Sequence, residues 1–329
     1  MRISRRRFLH LATGAALLPA IPSVASAQAF PSRPVTIIVP FPAGGPADVI
    51  ARIVGERMRT SLGQPVIVEN VSGAGGTIGV ARAARAAPDG YTLSMGQLNS
   101  HVFSGAAYTV RYDLLKDFEP VALLTTNPLI FAGRQDLSAK NIRELVAWLK
   151  ANPDRASFAT PGVGSPSHVW GIHFQNSTGT RFQFVAYRGA SPALQDVLSA
   201  QVDLTCLQAS DLLPHVRSGN IRAYAILADA PWVRAPEIPT IDEAGVPGLH
   251  MPFWHGLWAP ANTPREIVGK LNQAAVEALA DPSVRQRLAD IGQEIFPPEQ
   301  QTPEALAALQ KAEIEKWWSI IRAANINGM

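Results

Sequence analysis

The residues best suited to chemistry in this sequence lie where short apolar runs give way to glycine and proline. The stretch Phe41–Arg52 reads FPAGGPADVIAR. Gly44 and Gly45 allow a tight turn, and Pro46 suits the first position of a helix, where its missing N–H would have no partner. Asp48 then falls in the first turn, where a carboxylate complements the helix dipole. The spacing predicts a helix N-terminus with free N–H groups. Such an N-terminus can bind an anion.

The same arrangement recurs along the chain. Pro161–Pro166 reads PGVGSP, with Ser165 as the expected N-cap, and Tyr187–Pro192 reads YRGASP. Ser72–Thr77 is a further glycine-rich turn before a helix. We expect four helix N-termini to face a common crevice, at Pro46, Gly76, Ser165 and Ser191. Taken singly, each stretch is also consistent with an ordinary turn between a strand and a helix.

Several catalytic motifs are absent. No lysine precedes serine or threonine, so the chain has no phosphate-binding loop, and it has neither Gly-x-Ser-x-Gly nor His-Glu-x-x-His. His168 and His173 are five residues apart and do not share a helix face, so we expect no metal site. Ser165, His168 and Asp48 could form a catalytic triad, although their spacing does not require one. We expect no enzyme and no cofactor; the alternative is a small α/β enzyme in which Ser165 and His168 are catalytic.

The first residues resemble an export signal. Arg5, Arg6 and Arg7 are followed by Phe-Leu, then by the apolar run Leu9–Leu18 and the small-residue sequence Ala25–Ala27. The pattern predicts a twin-arginine-type signal peptide over residues 1–27. A Sec signal with a basic N-terminal region is the alternative. Either route leads out of the cytoplasm, and we expect a periplasmic protein.

Composition excludes several classes of function. The formal net charge is +3, but four of the 29 basic residues lie in the predicted signal, which leaves 25 against 26 acids. We find no basic patch and predict no nucleic-acid partner. The single cysteine, Cys206, excludes an internal disulfide. No later run has the roughly 20 apolar residues that a membrane span requires, so we expect a soluble mature protein.

Short β-like runs alternate with helical stretches, which is typical of an α/β fold with largely parallel sheets. The first strand is predicted at Val35–Val39, and a helix follows from Pro46 to Leu62 with Gly63 as its stop. We expect the chain to cross between lobes twice, near Asn127 and near Leu249–Trp254. This predicts two lobes, residues 28–127 plus 250–329 and residues 128–249, with a ligand cleft between them. Lobes joined in this way can close around a ligand.

Other expectations concern the segments between these elements. Gln97–Tyr112 is predicted to be a long irregular loop, and Asn99, Ser100 and His101 are candidate ligand contacts because such loops often carry function. A satisfied surface histidine is the alternative for His101. Thr263–Glu266 is predicted to be a capping box. Phe41, Trp170 and Trp254 could form apolar walls of the site, or could pack in the core.

The ordered motifs resemble the Bug-type extracytoplasmic solute receptors of the tripartite tricarboxylate transporter system. The resemblance covers nearly all of the chain after the signal and is carried by these blocks: FPAGGPADVIAR (41–52), ENVSGAGGTIGVARAARAAPDGYTL (69–93), YDLLKDFEPV (112–121), ATPGVGSPSH (159–168), VAYRGASPALQDVLSAQVDL (185–204), IPTIDEAGVPG (238–248) and WHGLWAPANTP (254–264). It implies a two-lobed periplasmic-binding-protein fold of type II, the Venus-flytrap fold, with two crossover strands. It also implies a monomeric, non-enzymatic receptor for small carboxylated solutes, including di- and tricarboxylates and some aromatic or amino acids, that delivers its ligand to a membrane permease.

The resemblance also implies which residues bind the ligand. In one lobe they are Phe41, Pro42, Ala43, Gly44, Gly45, Pro46 and Asp48; in the other they are Thr160, Gly162, Gly164, Ser165, His168, Tyr187, Gly189 and Ala190. Two residues depart from the family pattern: Ala47 replaces a usual threonine and Phe41 a usual tyrosine, so two hydroxyls are missing and a partly apolar ligand is favoured. Gln208–Ser210 lacks the acidic residue common in relatives, which disfavours a ligand with an ammonium group.

Overall fold

The computed structural model describes residues 30–326. The predicted signal peptide therefore lies outside the described residues. Within residues 30–326, none of the helices has both the length and the apolar character that crossing a bilayer would require.

Eleven strands of the described chain form two separate sheets. In chain order they are β1 (Val35–Val39), β2 (Val66–Asn70), β3 (Thr92–Gln97), β4 (Phe118–Thr126), β5 (Leu129–Arg134), β6 (Ser157–Thr160), β7 (Gln183–Ala186), β8 (Leu204–Gln208), β9 (Ile221–Ile226), β10 (Trp254–Pro260) and β11 (Glu294–Ile295). The first sheet has the order β11-β4-β10-β3-β1-β2, and the second has the order β7-β6-β8-β5-β9. The expected α/β class is confirmed, but both sheets are mixed and not largely parallel. Strand β10 runs antiparallel to β3 and β4, and β5 runs antiparallel to β8 and β9.

Helices cover both sheets and follow most of the parallel strands. They are α1 (Pro46–Leu62), α2 (Thr77–Ala84), α3 (Ser104–Ala107), α4 (Ile142–Ala151), α5 (Pro166–Thr178), α6 (Ala190–Leu198), α7 (Ala209–Arg217), α8 (Arg265–Ala280), α9 (Pro282–Asp290) and α10 (Pro303–Ala323). A short 3₁₀ turn, Ala74–Gly76, precedes α2. Strands β1, β2 and β3 run parallel in one sheet, as do β6, β7 and β8 in the other.

Local sequence explains where the key helices begin and end. Helix α1 begins after Gly45, has proline at its first position, and ends at Gly63, which adopts the left-handed conformation with φ 65°. Its apolar face includes Ile50, Val54 and Met58, all buried against the first sheet. These bounds agree with the sequence prediction, because turn residues and apolar periodicity are both local properties.

Two local predictions were wrong, and one helix was not predicted. The segment after β3 is a buried π-helical turn, Asn99–Phe103, that continues into α3 rather than an irregular loop. The predicted capping box does not form, because the Thr263 hydroxyl donates to the Pro260 carbonyl instead of capping α8. Helix α7 follows β8 directly and was missed, because Pro214 inside it breaks the expected helical pattern.

The apolar core runs beneath the points where the chain passes from one sheet to the other. Trp170 and Trp254 are fully buried in this cluster, so they belong to the core and do not form walls of a site. Trp170 Nε1 donates to the Leu249 carbonyl, 2.9 Å away, and so fixes α5 against the returning chain. Of the adjacent Trp317 and Trp318, the first is buried and the second half-buried, as their adjacency in a helix requires.

A close approach in the first sheet depends on glycine. Gly96 of β3 lies opposite Gly256 of β10, and the buried His101 ring stacks on Trp258 beside them, with centroids 4.1 Å apart. A Cβ atom at Gly96 would lie 2.3 Å from His101 Nδ1 and 2.4 Å from Trp258 Cζ3. The absence of a side chain at this position is therefore what admits the stacked pair.

We predict that Gly96→Ala lowers the free energy of unfolding by about 1–3 kcal/mol, because two buried rings must move. Gly269→Ala is the matched control: it lies exposed inside α8 with no atom within 4 Å of the added Cβ, so it should stabilise by about 1 kcal/mol through helix propensity. Urea unfolding of both variants checks this pair. Equal stability of the two variants would contradict the packing argument.

Candidate functional site

A cleft lies between the two sheets and contains two adjoining cavities. The larger has a volume of about 850 Å³ and is lined by Gly44, Gly45, Pro46, Val49, Ala190, Ser191, Gln208, Ala209, Ser210, Asp211, Leu213, Pro214, Arg217, Trp232, Arg234, Ala289, Asp290, Ile291 and Gly292. The smaller has a volume of about 330 Å³ and is lined by Phe41, Gly75, Gln97, Asn99, Leu129, Pro161, Ser165, Pro166, Ser167, Ala190, Cys206, Leu207, Gln208, Asp211 and Phe253. Ala190, Gln208 and Asp211 line both. Each cavity therefore takes walls from both sheets.

Helix N-termini open into this cleft. Pro46 at the start of α1 lines the larger cavity, and Gly75 before α2 lines the smaller. Ser165 and Pro166 at the start of α5 line the smaller cavity, and Ala190 at the start of α6 lines both. All four predicted N-termini are thus at the cleft. The missed helix α7 adds a fifth, with Gln208 as its N-cap residue.

The loop before α1 is held by Asp48. Its carboxylate accepts the Gly44 N–H at 2.8 Å and also hydrogen-bonds to Arg52 and Asn70. Burial opposes the charge of Asp48, but the hydrogen bonds from Arg52, Gly44 and Asn70 outweigh it and lower its pKa. Asp48 is 3% exposed. The side chain therefore organises the loop from behind and leaves the cavity surface to the loop backbone.

Ser165 and His168 are joined by capping contacts and not by a catalytic pair. The Ser165 hydroxyl oxygen accepts the His168 backbone N–H at 3.3 Å, and His168 Nδ1 accepts the Gly164 N–H at 3.2 Å. Burial lowers the pKa of His168, so the neutral ring is favoured. The hydrogen bonds of the Asp48 carboxylate go to Gly44, Arg52 and Asn70. The described contacts thus give Ser165 no general base.

The other predicted site residues that end or follow strands of the second sheet shape the wall of the cleft. Tyr187 donates its hydroxyl hydrogen to Asp196, and burial together with this carboxylate raises the pKa of Tyr187 to about 12. Thr160 is fully buried at the end of β6, and its hydroxyl oxygen accepts the Gly162 N–H at 3.3 Å. Gly162 adopts φ 150° and Gly189 adopts φ 120°, within the range that favours glycine. These contacts shape the two turns that precede α5 and α6.

Two of the three candidates after β3 do not reach the cleft. Asn99 lines the smaller cavity and donates to the Gly75 carbonyl at 3.3 Å. Ser100 and His101 are fully buried, and burial lowers the pKa of His101 to about 3. His101 is therefore a neutral core residue, and both the ligand-contact and the surface-histidine interpretations were wrong.

Seven of the predicted site residues line a cavity and nine lie around it. The seven are Phe41, Gly44, Gly45, Pro46, Asn99, Ser165 and Ala190. The nine that line neither cavity are Pro42, Ala43, Asp48, Thr160, Gly162, Gly164, His168, Tyr187 and Gly189. Pro42 and Ala43 are exposed at the tip of the first loop.

Several residues that line the cavities were not among the predicted site residues. Gln97, Ser167, Gln208, Asp211 and Arg217 all line one cavity or both. The stretch Gln208–Ser210 itself has no acidic residue, but Asp211, one residue beyond it, lines both cavities. The signal that could have found it is an acidic residue at the third position of a helix that starts where β8 ends. Within residues 30–326, no cluster of three or more His, Cys, Asp or Glu side chains could hold a metal ion.

Two α/β layers around a shared cleft, with helix N-termini on both sides, define a two-lobed binding protein of the periplasmic type. The sequence model of the "Tripartite tricarboxylate transporter family receptor" matches residues 50–326. This chain belongs to that family, whose Bug-type members its motifs resemble. The expected family and fold are confirmed.

Relatives and solved structures agree with this assignment. The chain is 39% identical over 97% of its length, and 91% of the relative's, to the "UPF0065 protein in the TAR-I ttuE-ttuC' intergenic region" of Agrobacterium vitis. It is 35% identical to BugT of Bordetella pertussis, over 90% of this chain and 91% of BugT. The family is one of periplasmic solute receptors.

Three solved structures share the fold over nearly their whole length. The periplasmic binding protein BugD is 37% identical with a TM-score of 0.77, and covers 91% of this chain and 99% of its own. MatC from Rhodopseudomonas palustris, solved with bound malate, is 40% identical with a TM-score of 0.78 (89% and 100% coverage). An R. palustris protein solved with adipate is 30% identical with a TM-score of 0.79 (91% and 100% coverage).

We predict that Asp48→Ala lowers the free energy of unfolding by about 1–3 kcal/mol, because it leaves the Gly44 N–H and the Asn70 side-chain amide without their acceptor. Glu56→Ala is the matched control, since the exposed Glu56 pairs with Arg287 on the surface and such pairs contribute at most about 1 kcal/mol. Urea unfolding measures both. If the two variants lost equal stability, Asp48 would not organise the loop.

Buried histidines predict a pH dependence of stability. Burial lowers the pKa of both His101 and His255 to about 3, against about 6.5 in the unfolded chain. Their contribution is complete above pH 6.5 and is lost as the pH falls towards 3, because protons then bind the unfolded state. We expect stability to fall from pH 6.5 to 5, where ordinary carboxylates still contribute little, and His255→Asn to reduce that slope by up to about 1.4 kcal/mol per pH unit. An unchanged slope in urea titrations would show that His255 is not buried neutral.

Proposed function

We propose that this protein is a periplasmic receptor that captures a small carboxylate between its two lobes and delivers it for uptake or reports its presence. The observation that carries the proposal is the opening of four helix N-termini, those of α1, α2, α5 and α6, into one cleft between the two sheets. Anions are the ligands that such N-termini favour. The ligand is a di- or tricarboxylate or an aromatic carboxylate.

The energetics suit a carboxylate. Each helix N-terminus stabilises an anion by about 0.3–1 kcal/mol, and by up to about 2 kcal/mol where it is partly buried. Together they supply a few kcal/mol of the roughly 8 kcal/mol that a micromolar complex needs. Direct backbone hydrogen bonds, apolar contact and the exclusion of water on closure supply the remainder, since charge-assisted bonds strengthen out of water.

The residues divide into two roles. We propose direct contact for the loop backbone of Gly44 and Gly45, for Asn99, for Ser165 and for Ala190, all of which line the cavities. Phe41, Leu129, Leu207 and Phe253 form the apolar part of the smaller cavity. The other predicted residues would hold the loops in place or enter the site on closure: Pro42, Ala43, Pro46, Asp48, Thr160, Gly162, Gly164, His168, Tyr187 and Gly189.

We propose that the lobes are residues 28–127 plus 250–329 and residues 128–249, and that they close by hinging at Thr126–Leu129 and Leu249–Trp254. The division is supported by the sheets, since strands β5–β9 all fall between these crossings. Asn127 is fully buried at the first crossing and donates to the Ser210 hydroxyl at 3.0 Å. A contact between the hinge and α7 would couple closure to the cleft wall.

The ligand class follows from the walls and from similar proteins. MatC was solved with malate and another R. palustris protein with adipate, which supports a carboxylate here. Phe41 presents a ring without a hydroxyl to the smaller cavity, which favours a ligand with an apolar portion. We further propose a monomer, a membrane permease of the tripartite tricarboxylate type as partner, and export by the twin-arginine route.

Native mass spectrometry of the mature protein from its own host, before and after denaturation, tests the proposal. A small acid released on denaturation would support it. A thermal-shift screen of aliphatic and aromatic carboxylates then ranks candidates, and we expect stabilisation by at least one, because a ligand that binds only the folded state raises the melting temperature. Turnover of the bound acid, or failure of every carboxylate to bind, would overturn the receptor proposal.

We predict that Gly45→Phe abolishes binding of any carboxylate found in that screen. Gly45 has φ −76°, which any residue adopts, and an added Cβ would approach only the Pro42 carbonyl, at 3.4 Å, so the fold tolerates the change. Ala151→Phe, on an exposed site at the end of α4, is the control and should bind normally. Calorimetry measures the affinity of both variants. If Gly45→Phe bound the carboxylate as tightly as the wild type, the ligand site would not lie at the start of α1.

A further inference from the structure

Asp211 occupies a central position in the cleft. It is the third residue of α7, lines both cavities and is half-buried. Among the described residues that line the smaller cavity it is the sole carboxylate; the other ionisable group there is the buried thiol of Cys206, whose pKa burial raises. The larger cavity adds Arg217, Arg234 and Asp290. Any ligand that fills the smaller cavity therefore meets Asp211.

The Asp211 carboxylate differs from those of Asp48 and Asp203 because nothing in the described structure compensates it. Asp48 has three partners, and Asp203 accepts hydrogen bonds from Arg134 and Ser157. The pKa of Asp211 is raised by burial alone, with no hydrogen bond or opposite charge acting against it. A carboxylate removed from water in this way requires a donor.

Two neighbouring groups are also without partners. The side-chain amide oxygen of Gln208 is buried and accepts no hydrogen bond, and the Ser167 hydroxyl, in a residue that is 3% exposed, has none either. Both residues line the smaller cavity with Asp211. Gln208 and Asp211 are the N-cap and third residues of one helix, a spacing that places side chains next to each other. One end of the cavity thus combines a carboxylate and an amide oxygen, both of which accept hydrogen bonds.

These acceptors discriminate between a purely anionic ligand and one that also carries an ammonium group. A purely anionic ligand would bring a second negative charge beside an uncompensated carboxylate, and like charges in a closed site oppose binding. An ammonium group has the opposite effect, because it offers three donors and a positive charge. Buried polar groups that are satisfied only by the correct ligand also discriminate strongly against an analogue that lacks the matching group.

We propose that Asp211, with Gln208, receives an ammonium group, so that the ligand is a zwitterion whose carboxylate lies at the helix N-termini and whose amino group lies at the start of α7. This inference rests on the proposed receptor function and narrows its ligand class. The Ser167 hydroxyl accepts the third hydrogen of the ammonium group or donates to the carboxylate.

Matched probe pairs test the proposal on the mature protein by isothermal titration calorimetry. Each amino acid is paired with the acid that lacks its amino group: glutamate with glutarate, aspartate with succinate, 4-aminobutyrate with butyrate, and 4-(aminomethyl)benzoate with 4-methylbenzoate. In the wild type, we expect the amino member of the best-binding pair to bind at least tenfold more tightly than its partner. Asp211→Asn should remove that preference and bind the plain acid more tightly than the wild type does.

Control variants separate a specific role from a structural one. Asp229→Asn removes an exposed carboxylate outside both cavities and should leave every affinity unchanged. Gln208→Leu should weaken the amino probe severalfold and leave the plain acid unaffected. Plain acids that bind the wild type as tightly as their amino partners, or a preference that survives in Asp211→Asn, would overturn the inference and leave the carboxylate receptor standing. Failure of all probes with the wild type would overturn both.

Discussion

The architecture of the cleft depends on parallel strands whose carboxyl ends meet at one edge of each sheet. Strands β1, β2 and β3 do this in one sheet, and β6, β7 and β8 do it in the other. Helices that follow such strands begin at that edge, so their unpaired N–H groups collect in one place. Each sheet contributes N-termini, and the chain passes between the sheets on the same side. The cleft can therefore hold an anion without a dedicated lysine or arginine at its centre.

In the turn before α1, Gly44 and Gly45 line the larger cavity with backbone alone, because glycine has no side chain. Asp48 lies behind the first loop and accepts the Gly44 N–H, while Ser165 caps α5 through the His168 N–H. The side chains of Asp48, Ser165 and His168 are thus occupied by local hydrogen bonds. This explains why a serine, a histidine and an aspartate near one cleft do not form a triad. Gly96 has a packing role: its lack of a side chain admits the stacked rings of His101 and Trp258.

The residues at the start of α7 distinguish this cleft from a site that binds only anions. The N-termini of α1, α2, α5 and α6 present donors, whereas α7 presents the Asp211 carboxylate and the unpartnered Gln208 oxygen. The smaller cavity thus combines donors from helix N-termini, acceptors from α7 and apolar residues such as Phe41 and Phe253. Asn127 links the first crossing of the chain to Ser210 in the same helix. The segment that completes the cleft is therefore also connected to the place where the two sheets join.

The sequence by itself determined the strand–turn–helix units. Strand β1, helix α1 with its stop at Gly63, and the Ser165 cap of α5 all agree with the structure, because glycine, proline and capping residues act within a few positions along the chain. Only the tertiary structure decided which residues those units bury or bring together. His101 is buried because Gly96 leaves room for it against Trp258, a contact between distant segments. Helix α7 forms despite Pro214, and Asp211 reaches the cleft because β8 ends there. Local chemistry sets where an element begins and ends, whereas the packing of remote segments sets which of its side chains face the ligand.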